Sequence, residues 1–245
     1  MSTFVSIIVP CFNEERTIGF LLESIFHQSY PLDNIEVIIA DGISTDGTRQ
    51  IVEAFKAEHP KLSIRLIDNP KRIIPAALNR AIEHAKGDVL IRLDAHSVPA
   101  DDYVERCVST IMRTGAANVG GVWEIKPSGD HWMARAIAIA AGHPLGAGDA
   151  RYRTGGEAGA TDTVPFGCFP RDWIERVGFF EEELETNEDY EFNVRLKQAG
   201  GVVFFDPAIR SIYYARPDLI SLGKQYARYG YWKARMLIRF PSSLR

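Results

Sequence analysis

The sequence predicts an α/β fold in which a mostly parallel sheet is covered by helices on both faces. Short apolar runs alternate with amphipathic helical stretches through the first hundred residues, as they do in successive β–α–β units. The links are short, and the strands are continuous apolar runs, which is typical of buried parallel strands. The composition, with 46% hydrophobic and 24% charged residues, is ordinary for a globular protein and excludes collagen-like and disordered chains.

Four strands and three helices are predicted in residues 4–93. The strands are expected at 4–10, 36–40, 62–67 and 88–93, and the helices at 17–28, 46–58 and 74–85. Each helix has apolar residues at a spacing of three or four. Pro75 stands in the first turn of the third helix, where its missing N–H breaks no hydrogen bond. Ligands of such sheets bind beyond the carboxyl ends of the strands, so we expect the site there.

The second half of the chain has a less regular pattern. Helices are predicted at 103–114, 131–141, 171–177, 189–199 and 219–239, and strands at 117–125, 163–169 and 202–205. Between 142 and 159, six of eighteen residues are glycine, which predicts a long loop of the kind that often covers an active site. We divide the chain into a domain of residues 1–209 and a basic amphipathic extension, 210–245, packed on or following it.

The charge of the chain is unevenly distributed. Residues 210–245 contain eight basic residues and one acid, a net charge of +7, so the total of −4 leaves −11 for residues 1–209. This asymmetry favours a local anionic partner, such as phospholipid or a lipid phosphate, over nucleic acid. An apolar and aromatic stripe runs through the same extension at Leu219, Leu222, Tyr226, Tyr229, Trp232, Met236 and Phe240. Such a stripe is typical of core packing and also suits a helix on an anionic membrane.

The cysteines and the hydropathy pattern bear on location. Cys11, Cys107 and Cys168 are far apart and form no paired framework, which favours a reduced, cytoplasmic setting. No apolar run approaches the roughly 18 residues that span a bilayer, and no signal peptide precedes the first strand. We expect a cytoplasmic protein that can lie at the cytoplasmic face of the inner membrane without crossing it.

Polar and acidic residues follow three of the predicted strands. Asn13 and Glu14 follow the first strand, Asp41 the second and Asp94 the fourth. The ends of parallel strands meet at one edge of the sheet, so these groups should converge. Carboxylates packed together repel one another, and their convergence therefore favours a ligand with hydrogen-bond donors or a divalent cation between them.

Asp94 and His96 place a carboxylate and an imidazole two residues apart. With diphosphate oxygens to complete the coordination shell, they suit Mg²⁺ or Mn²⁺. Each fragment also has a purely structural explanation, because Asp–Gly pairs such as Asp41-Gly42 are common turns and a D-x-H pair occurs by chance. Their joint placement after successive strands favours the functional interpretation.

Four motifs in a fixed order carry a resemblance to a known family. They are VPCFNEE at 9–15, ADGISTDGT at 40–48, LDAH at 93–96 and NED at 187–189. In this order they resemble family 2 glycosyltransferases, and the similarity runs from Phe4 to about Asp206. A closer likeness to the succinoglycan-biosynthesis type of exopolysaccharide glucosyltransferase lies in DAHS at 94–97, DTVPFG at 162–167, NEDYEFN at 187–193 and QYARYG at 225–230.

The resemblance implies a GT-A fold, with a Rossmann-like, mostly parallel sheet, and transfer of a sugar from a nucleotide diphosphate with inversion. It implies donor-binding residues at Pro10, Asn13, Glu14, Asp41, Ser44, Arg72 and Asp94. Pro10 and Glu14 would line the nucleoside, Asp41 would hold the base, usually uracil, and Asp94 would act at the metal-bound diphosphate. Asp189 matches the usual catalytic base.

The resemblance also implies a divalent metal ion at Asp94 and His96. Many members have a second aspartate where this chain has His96, and imidazole binds Mg²⁺ more weakly than Mn²⁺, so the preference between Mg²⁺ and Mn²⁺ stays open. An acceptor hydroxyl must lose its proton as it attacks, which a carboxylate such as Asp189 can accept. Asp189 is also explained as a helix N-terminal carboxylate, and the two roles are compatible. Arg72, Arg151 or Arg153 could assist the departing diphosphate.

We therefore expect an inverting, metal-dependent transferase that moves a hexose, glucose first, from a UDP-sugar to a lipid-linked saccharide in exopolysaccharide assembly. Peripheral contact with anionic membrane is expected, and no nucleic acid partner. One alternative is a nucleotidyltransferase, which would usually carry a glycine-rich loop with lysine where this chain has PCFNE at 10–14. The other is a non-catalytic sugar-nucleotide-binding protein, against which Asp94 and Asp189 argue.

Overall fold

The computed structural model describes residues 3–148, 150–239 and 241. The strands in this part of the chain are β1 (Val5–Cys11), β2 (Ile35–Asp41), β3 (Ser63–Asp68), β4 (Val89–Arg92), β5 (Val98–Pro99), β6 (Asn118–Pro127), β7 (Gly159–Ala160), β8 (Cys168–Pro170) and β9 (Val203–Ala215). The helices are α1 (Ile18–Phe26), α2 (Thr48–Glu58), α3 (Ile74–His84), α4 (Tyr103–Thr114), α5 (Trp132–Gly142), α6 (Pro144–Ala147), α7 (Arg151–Thr154), α8 (Asp172–Val177), α9 (Glu188–Gln198) and α10 (Leu219–Arg239).

The strands form one sheet in the order β3-β2-β1-β4-β8-β6-β9-β5, and β7 pairs with β9. The first four strands of this order are parallel to one another. β8 runs antiparallel between β4 and β6, whereas β6 and β9 are parallel. The mostly parallel sheet that the sequence predicts is therefore confirmed.

Helices cover both faces of this sheet. On one face α1, α2 and α4 pack through a buried cluster that includes Leu21, Val52 and Tyr103. On the other face α3, α8 and α9 pack through a second cluster. The two-sided burial explains why β1 and β2 are buried at every position and have mostly apolar sequences.

Two predicted strands have different lengths in the structure. The strand expected at 163–169 is reduced to β8, because Phe166 and Gly167 have positive φ angles of 61° and 88°, which a strand does not accommodate. The strand expected at 202–205 continues to Ala215. Asp206-Pro207 resembles a turn, but the register shifts there and pairing with β6 resumes at Arg210, so the proline lies in a bulge.

The glycine-rich segment at 142–159 contains short helices that its composition did not predict. Within its described residues it forms the single-turn helices α6 and α7, while Asp149 lies outside the described residues. Gly155 and Gly156 follow α7 with φ angles of 78° and 143°, which glycine adopts without strain. The segment is thus a chain of short turns that packs against β6 and β9.

The division drawn between residues 209 and 210 lies inside β9, so 210–215 belong to the sheet and only α10 extends beyond it. Phe240 and residues 242–245, which were part of the predicted extension, lie outside the described residues. In the described part of the chain, no helix combines the length and the apolar character needed to cross a bilayer.

Candidate active site

The ends of β1, β2 and β3 meet at one edge, where Cys11 pairs with Asp41 and Asp41 with Asp68. Asp41 is fully buried. Its carboxylate accepts hydrogen bonds from Arg49 Nη1 at 2.8 Å and from the Ser44 N–H at 2.9 Å. Arg49 also pairs with Asp68 at 2.8 Å. The arrangement fixes the loop after β2 in place.

Asn13 joins the loop after β1 to the loop after β2. Its N–H donates to Ser44 Oγ at 2.8 Å, and its Oδ1 accepts from the Thr45 N–H at 2.9 Å. Its φ of 54° is left-handed, a conformation that asparagine tolerates better than most residues. Pro10 is buried within β1 beside Ala40. Asn13 and Pro10 thus lie at the edge of the sheet where the loops after β1 and β2 meet.

Arg72 and Phe12 form an exposed surface beside these loops. The Arg72 guanidinium carbon lies 5.6 Å from the centroid of the Phe12 ring, a cation–π distance. A Cβ on residue 42 would come within 2.9 Å of the ring, so glycine at this position avoids a steric clash with Phe12. A flat ring beside a cation can stack a nucleobase. Phe12, unlike Arg72, is not among the residues predicted from the sequence, because its 43% exposure is visible only in the structure.

Glu14 and His96 connect this edge to the end of β4. Glu14 Oε1 lies 3.1 Å from His96 Nδ1. The hydrogen bond with Glu14 raises the pKa of His96, although burial opposes it. Burial raises the pKa of Glu14, but hydrogen bonds from His96 and Thr17 outweigh this and lower it overall. The same hydrogen bond thus contributes to both shifts, raising the pKa of His96 and lowering that of Glu14.

A cleft of about 900 Å³ brings together Asp94, His96 and Asp189. Asp41, Asn13 and Ser44 do not line it; they lie at the adjoining strand ends, and the Glu14–His96 contact connects the two regions. Residues almost a hundred positions apart thus share one hollow. The sequence-predicted groups therefore divide between the loop edge after β1 and β2 and the cleft at the end of β4.

Arg92 is the residue at the cleft that sequence reasoning missed. It lies at the end of β4 and is buried, with Nε 3.1 Å from Asp94 and Nη1 2.8 Å from Glu188. Burial opposes its charge, but Asp94, Glu188 and Asp189 raise its pKa. Burial in turn raises the pKa of Glu188, against the effect of Arg92. The arginine in the apolar run VLIRL was the available signal, because a buried charge requires partners.

The donor set at Asp94 and His96 fits a cation that is shared with a substrate. In the part of the chain that the structure describes, no cluster of three or more ligating side chains is present. Asp94 is turned toward Arg92 through one oxygen, and His96 faces Glu14 through Nδ1, which leaves the other imidazole nitrogen for the cleft. Mg²⁺ and similar ions commonly take one or two protein carboxylates and complete the shell with phosphate oxygens.

Asp189 stands in the first turn of α9. The helix begins after Asn187, which has a left-handed φ of 70°, and Asp189 Oδ1 accepts from the Tyr190 N–H at 2.7 Å. Asp189 is half-buried, whereas Glu188 is buried and paired with Arg92. Of the two adjacent carboxylates, Asp189 is therefore the one free to meet a substrate.

The remaining wall of the cleft comes from the second half of the chain. Trp123 of β6 stacks on Tyr213 of β9, with ring centroids 4.4 Å apart and an interplanar angle of 7°. α10 supplies polar and basic side chains to the same wall, at Lys224, Gln225, Arg228, Tyr229 and Lys233. The basic helix is thus part of the site, which charge patterning alone did not reveal.

Strand order, two-sided helix packing and a carboxylate-lined cleft at the strand ends together define a nucleotide-sugar transferase of the GT-A class. The glycosyl transferase family 2 model matches residues 6–178. The chain belongs to this family, and it is an enzyme that transfers glycosyl groups. The nucleotidyltransferase and non-catalytic alternatives are therefore set aside.

Two curated relatives match nearly the whole chain. The succinoglycan biosynthesis protein ExoA of Rhizobium meliloti (strain 1021) is 37% identical over 240 residues, covering 97% of this chain and 71% of that protein. The dolichyl N-acetyl-alpha-D-glucosaminyl phosphate 3-beta-D-2,3-diacetamido-2,3-dideoxy-beta-D-glucuronosyltransferase of Methanococcus voltae is 32% identical, covering 96% and 74%. The likeness to the succinoglycan-biosynthesis type is confirmed.

Solved structures confirm the GT-A fold. The mannosyltransferase PcManGT from Pyrobaculum calidifontis, in complex with GDP-Man and Mn²⁺, superposes with a TM-score of 0.69 at 26% identity, covering 87% of this chain and 57% of that one. S. aureus TarS in complex with UDP-GlcNAc gives a TM-score of 0.68 at 18% identity, covering 87% and 59%; at that identity the likeness concerns the fold alone. The chain thus spans less than two thirds of these solved chains.

Proposed function

We propose that this glycosyltransferase moves a hexose from a UDP-sugar, UDP-glucose first, to a lipid-linked saccharide, with inversion at the anomeric carbon. The observation that carries the proposal is the single cleft lined by Asp94, His96 and Asp189. It offers a place for a diphosphate and, in the same hollow, a carboxylate for the acceptor hydroxyl. The donor's nucleoside would lie over the loop edge formed by Asn13, Asp41 and their neighbours.

The choice of substrates rests on the relatives. ExoA is named for succinoglycan biosynthesis, and the Methanococcus voltae enzyme is named for transfer onto a dolichyl-linked sugar phosphate. The first name supports a saccharide product, and the second supports a saccharide acceptor carried on a lipid. The two solved relatives are in complex with a GDP-sugar and a UDP-sugar, and the uracil that the family resemblance implies at Asp41 favours the uridine nucleotide.

The donor half of the site would work through its charges. Asp94 and His96 would hold a divalent cation together with the donor's diphosphate, and that cation, when bound, offsets the negative charge that grows on the leaving group. Arg92 donates to one oxygen of Asp94 at 3.1 Å and so helps to orient that carboxylate. Arg72 stands beside the nucleoside region and would contact the donor there.

Asp189 is the proposed catalytic base. Its carboxylate accepts the proton from the acceptor hydroxyl as the oxygen attacks the anomeric carbon, and inversion requires it to lie opposite the departing diphosphate. The Tyr190 N–H fixes Oδ1 at the start of α9, so the carboxylate meets the substrate in a set orientation. A positioned base of this kind contributes about 10²–10⁴-fold in rate.

The proposed setting is the cytoplasmic face of a membrane, with α10 as a peripheral contact. The helix carries exposed cations, among them Arg235 and Arg239, and exposed apolar or aromatic side chains at Ile220, Tyr231 and Ile238. Basic and apolar side chains in this combination suit an anionic headgroup surface. The division of the chain into a catalytic domain and this extension is part of the same proposal.

A screen of nucleotide sugars tests the function. The protein is incubated with UDP-, GDP- and dTDP-hexoses and Mn²⁺ or Mg²⁺, and released nucleotide is measured with and without a lipid-linked saccharide. We expect UDP release that depends on UDP-glucose, the metal and the acceptor. Asp94→Ala should abolish the metal dependence of UDP binding, and Asp88→Ala, outside the cleft, should leave it unchanged. Release from GDP- or dTDP-sugars alone would contradict the proposed donor.

A further inference from the structure

Acidic and basic side chains line the same cleft. The carboxylates are Asp94, Glu185, Glu188 and Asp189. Besides Arg92, five cations line it, Arg153, Arg216, Lys224, Arg228 and Lys233, and we call these five the basic wall. Among the described residues, none of these five forms an ion pair with a carboxylate, whereas Arg92 pairs with two. The basic wall is thus short of negative charge.

Arg153 lies deepest in this basic wall, inside a cage of aromatic rings. Its guanidinium carbon is 5.6 Å from the ring centroids of Trp123 and Tyr152 and 6.0 Å from that of Tyr213. Its Nε is buried and has no hydrogen-bond partner. Burial raises the pKa of Tyr152 and takes that of Tyr229 to about 12. These two phenols are therefore neutral near pH 7 and supply no counter-charge.

A guanidinium in this state is incompletely satisfied. It has five N–H donors, and the faces of aromatic rings attract its charge without accepting those hydrogen bonds in full. Its side-chain hydrogen bond is to the neutral Tyr152, and a partly buried charge without a counter-charge is unfavourable. An anion that enters the cleft would supply that counter-charge. The planar fork of arginine matches the oxygens of a phosphate group.

We propose that Arg153 and its aromatic cage form a binding site for a phosphate or diphosphate group of a substrate, in the cleft that Asp189 also lines. The inference rests on the proposed function, in which two such groups enter the cleft. One is the diphosphate of the sugar donor. The other is the phosphate that links the acceptor saccharide to its lipid.

Calorimetric titrations of the full chain test the site with two probes. The first is UDP with Mn²⁺, which reports the donor group. The second is farnesyl diphosphate, added after UDP and Mn²⁺ are saturating, which reports the acceptor group. The variants are Arg153→Gln, Arg153→Lys and the control Arg151→Gln. Arg151 lies on the same short helix and carries the same charge. Of the two arginines of this segment that could assist a diphosphate, only Arg153 lines the cleft, and Arg151 is exposed outside it.

We expect Arg153→Gln to weaken at least one probe tenfold or more, Arg153→Lys to weaken it less, and Arg151→Gln to stay within twofold of the unaltered protein. Loss confined to farnesyl diphosphate assigns the site to the acceptor, and loss confined to UDP assigns it to the donor. Unchanged binding of both probes in folded Arg153→Gln overturns the proposal, as does an equal loss in Arg151→Gln or the failure of the unaltered protein to bind either probe. If Arg153→Gln does not fold, Arg153→Lys decides by the same comparison.

The inference and the proposed function fail separately. Arg153-dependent probe binding in a protein that releases no nucleotide from any UDP-sugar would support the anion site and contradict the function. Active transfer from UDP-glucose with probe binding that is independent of Arg153 would support the function and contradict the anion site.

Discussion

Arg92 shows how much of the site depends on one buried side chain. Its guanidinium lies between Asp94 and Glu188. Its positive charge offsets the repulsion between these two carboxylates in a largely buried part of the cleft. Asp94, His96 and Asp189 could be named from the sequence because they occur in short motifs. Arg92 had only its place in an apolar run as a signal. The cage around Arg153 had none, because its rings come from β6, α7 and β9 and meet only in the folded chain.

Replacing Arg92 tests how much its buried ion pair with Glu188 contributes to stability. Arg92→Met should lower the free energy of unfolding by about 3–5 kcal/mol, since it leaves Glu188 buried without its partner. The double variant Arg92→Met/Glu188→Met should recover much of that loss, because both charges are gone. Urea denaturation measures both. A single variant as stable as the unaltered protein would show that the buried pair is not important for the fold.

At the scale of elements, the strand–helix alternation was predicted well in the first half and less well in the second. β1 to β4 and α1 to α4 are easy to recognise in the sequence. The strands are mostly apolar runs because one or both of their faces are buried, and the helices have apolar residues every three or four positions because one face is buried. β5 and β7 have two residues each, too few for any pattern to register. The extension of β9 past Pro207 depends on its pairing with β6, which is tertiary information.

Glu36 of β2 fastens the end of the sheet that lies away from the site. It accepts hydrogen bonds from Ser6 Oγ at 2.6 Å and from Arg65 Nη2 at 2.6 Å, and also from the Lys86 N–H. A Cβ on Gly87 would lie 2.4 Å from the Ser6 backbone nitrogen, so the link needs glycine there. β1, β2, β3 and the chain before β4 are thus tied together by one carboxylate.

Glu36 also predicts a pH dependence of stability. Burial raises its pKa, but the hydrogen bonds from Ser6, Lys86 and Arg65 outweigh this and hold it below the ordinary 4.5. Its contribution is therefore present above pH 4.5 and is lost as the pH falls through the lower folded value.

We expect Glu36→Gln to lose about 1–3 kcal/mol at pH 7 and to show a weaker decline between pH 5 and 3 than the unaltered protein. Thermal unfolding across this range measures it. Glu53→Gln, an exposed position on α2, is the control and should change neither quantity. Parallel pH profiles for Glu36→Gln and the unaltered protein would exclude this role.

At the scale of the whole molecule, the basic helix α10 contributes both to the cleft and to an exposed surface of the otherwise acidic chain. One part of the helix lines the cleft through Arg228 and Lys233, and another part exposes Arg235 and Arg239. The sequence predicted the basic character of this segment. It could not predict that the same helix closes the cleft, because that depends on how α10 packs across β6, β9 and α9.

Binding to anionic vesicles tests the surface of α10. The double variant Arg235→Gln/Arg239→Gln should reduce cosedimentation with phosphatidylserine-containing liposomes, and raising the salt from about 0.1 to 1 M should do so too, because the Debye length falls from about 10 to 3 Å. Arg106→Gln/Arg176→Gln removes the same charge from exposed positions on α4 and α8 and should bind as before. Binding that is independent of salt would count against the electrostatic contact.

The most direct test of the account is the effect of Asp189→Asn on transfer and on donor binding, measured together. The variant should lower kcat for sugar transfer by about 10²–10⁴-fold and leave the Kd for UDP with Mn²⁺ within a few-fold, because Asp189 faces the acceptor. Asp172→Asn makes the same change in the first turn of α8, outside the cleft, and should leave kcat unchanged. Near-normal transfer by Asp189→Asn, or a loss of UDP binding equal to the loss of rate, would contradict the placement of a base opposite the donor diphosphate in one cleft.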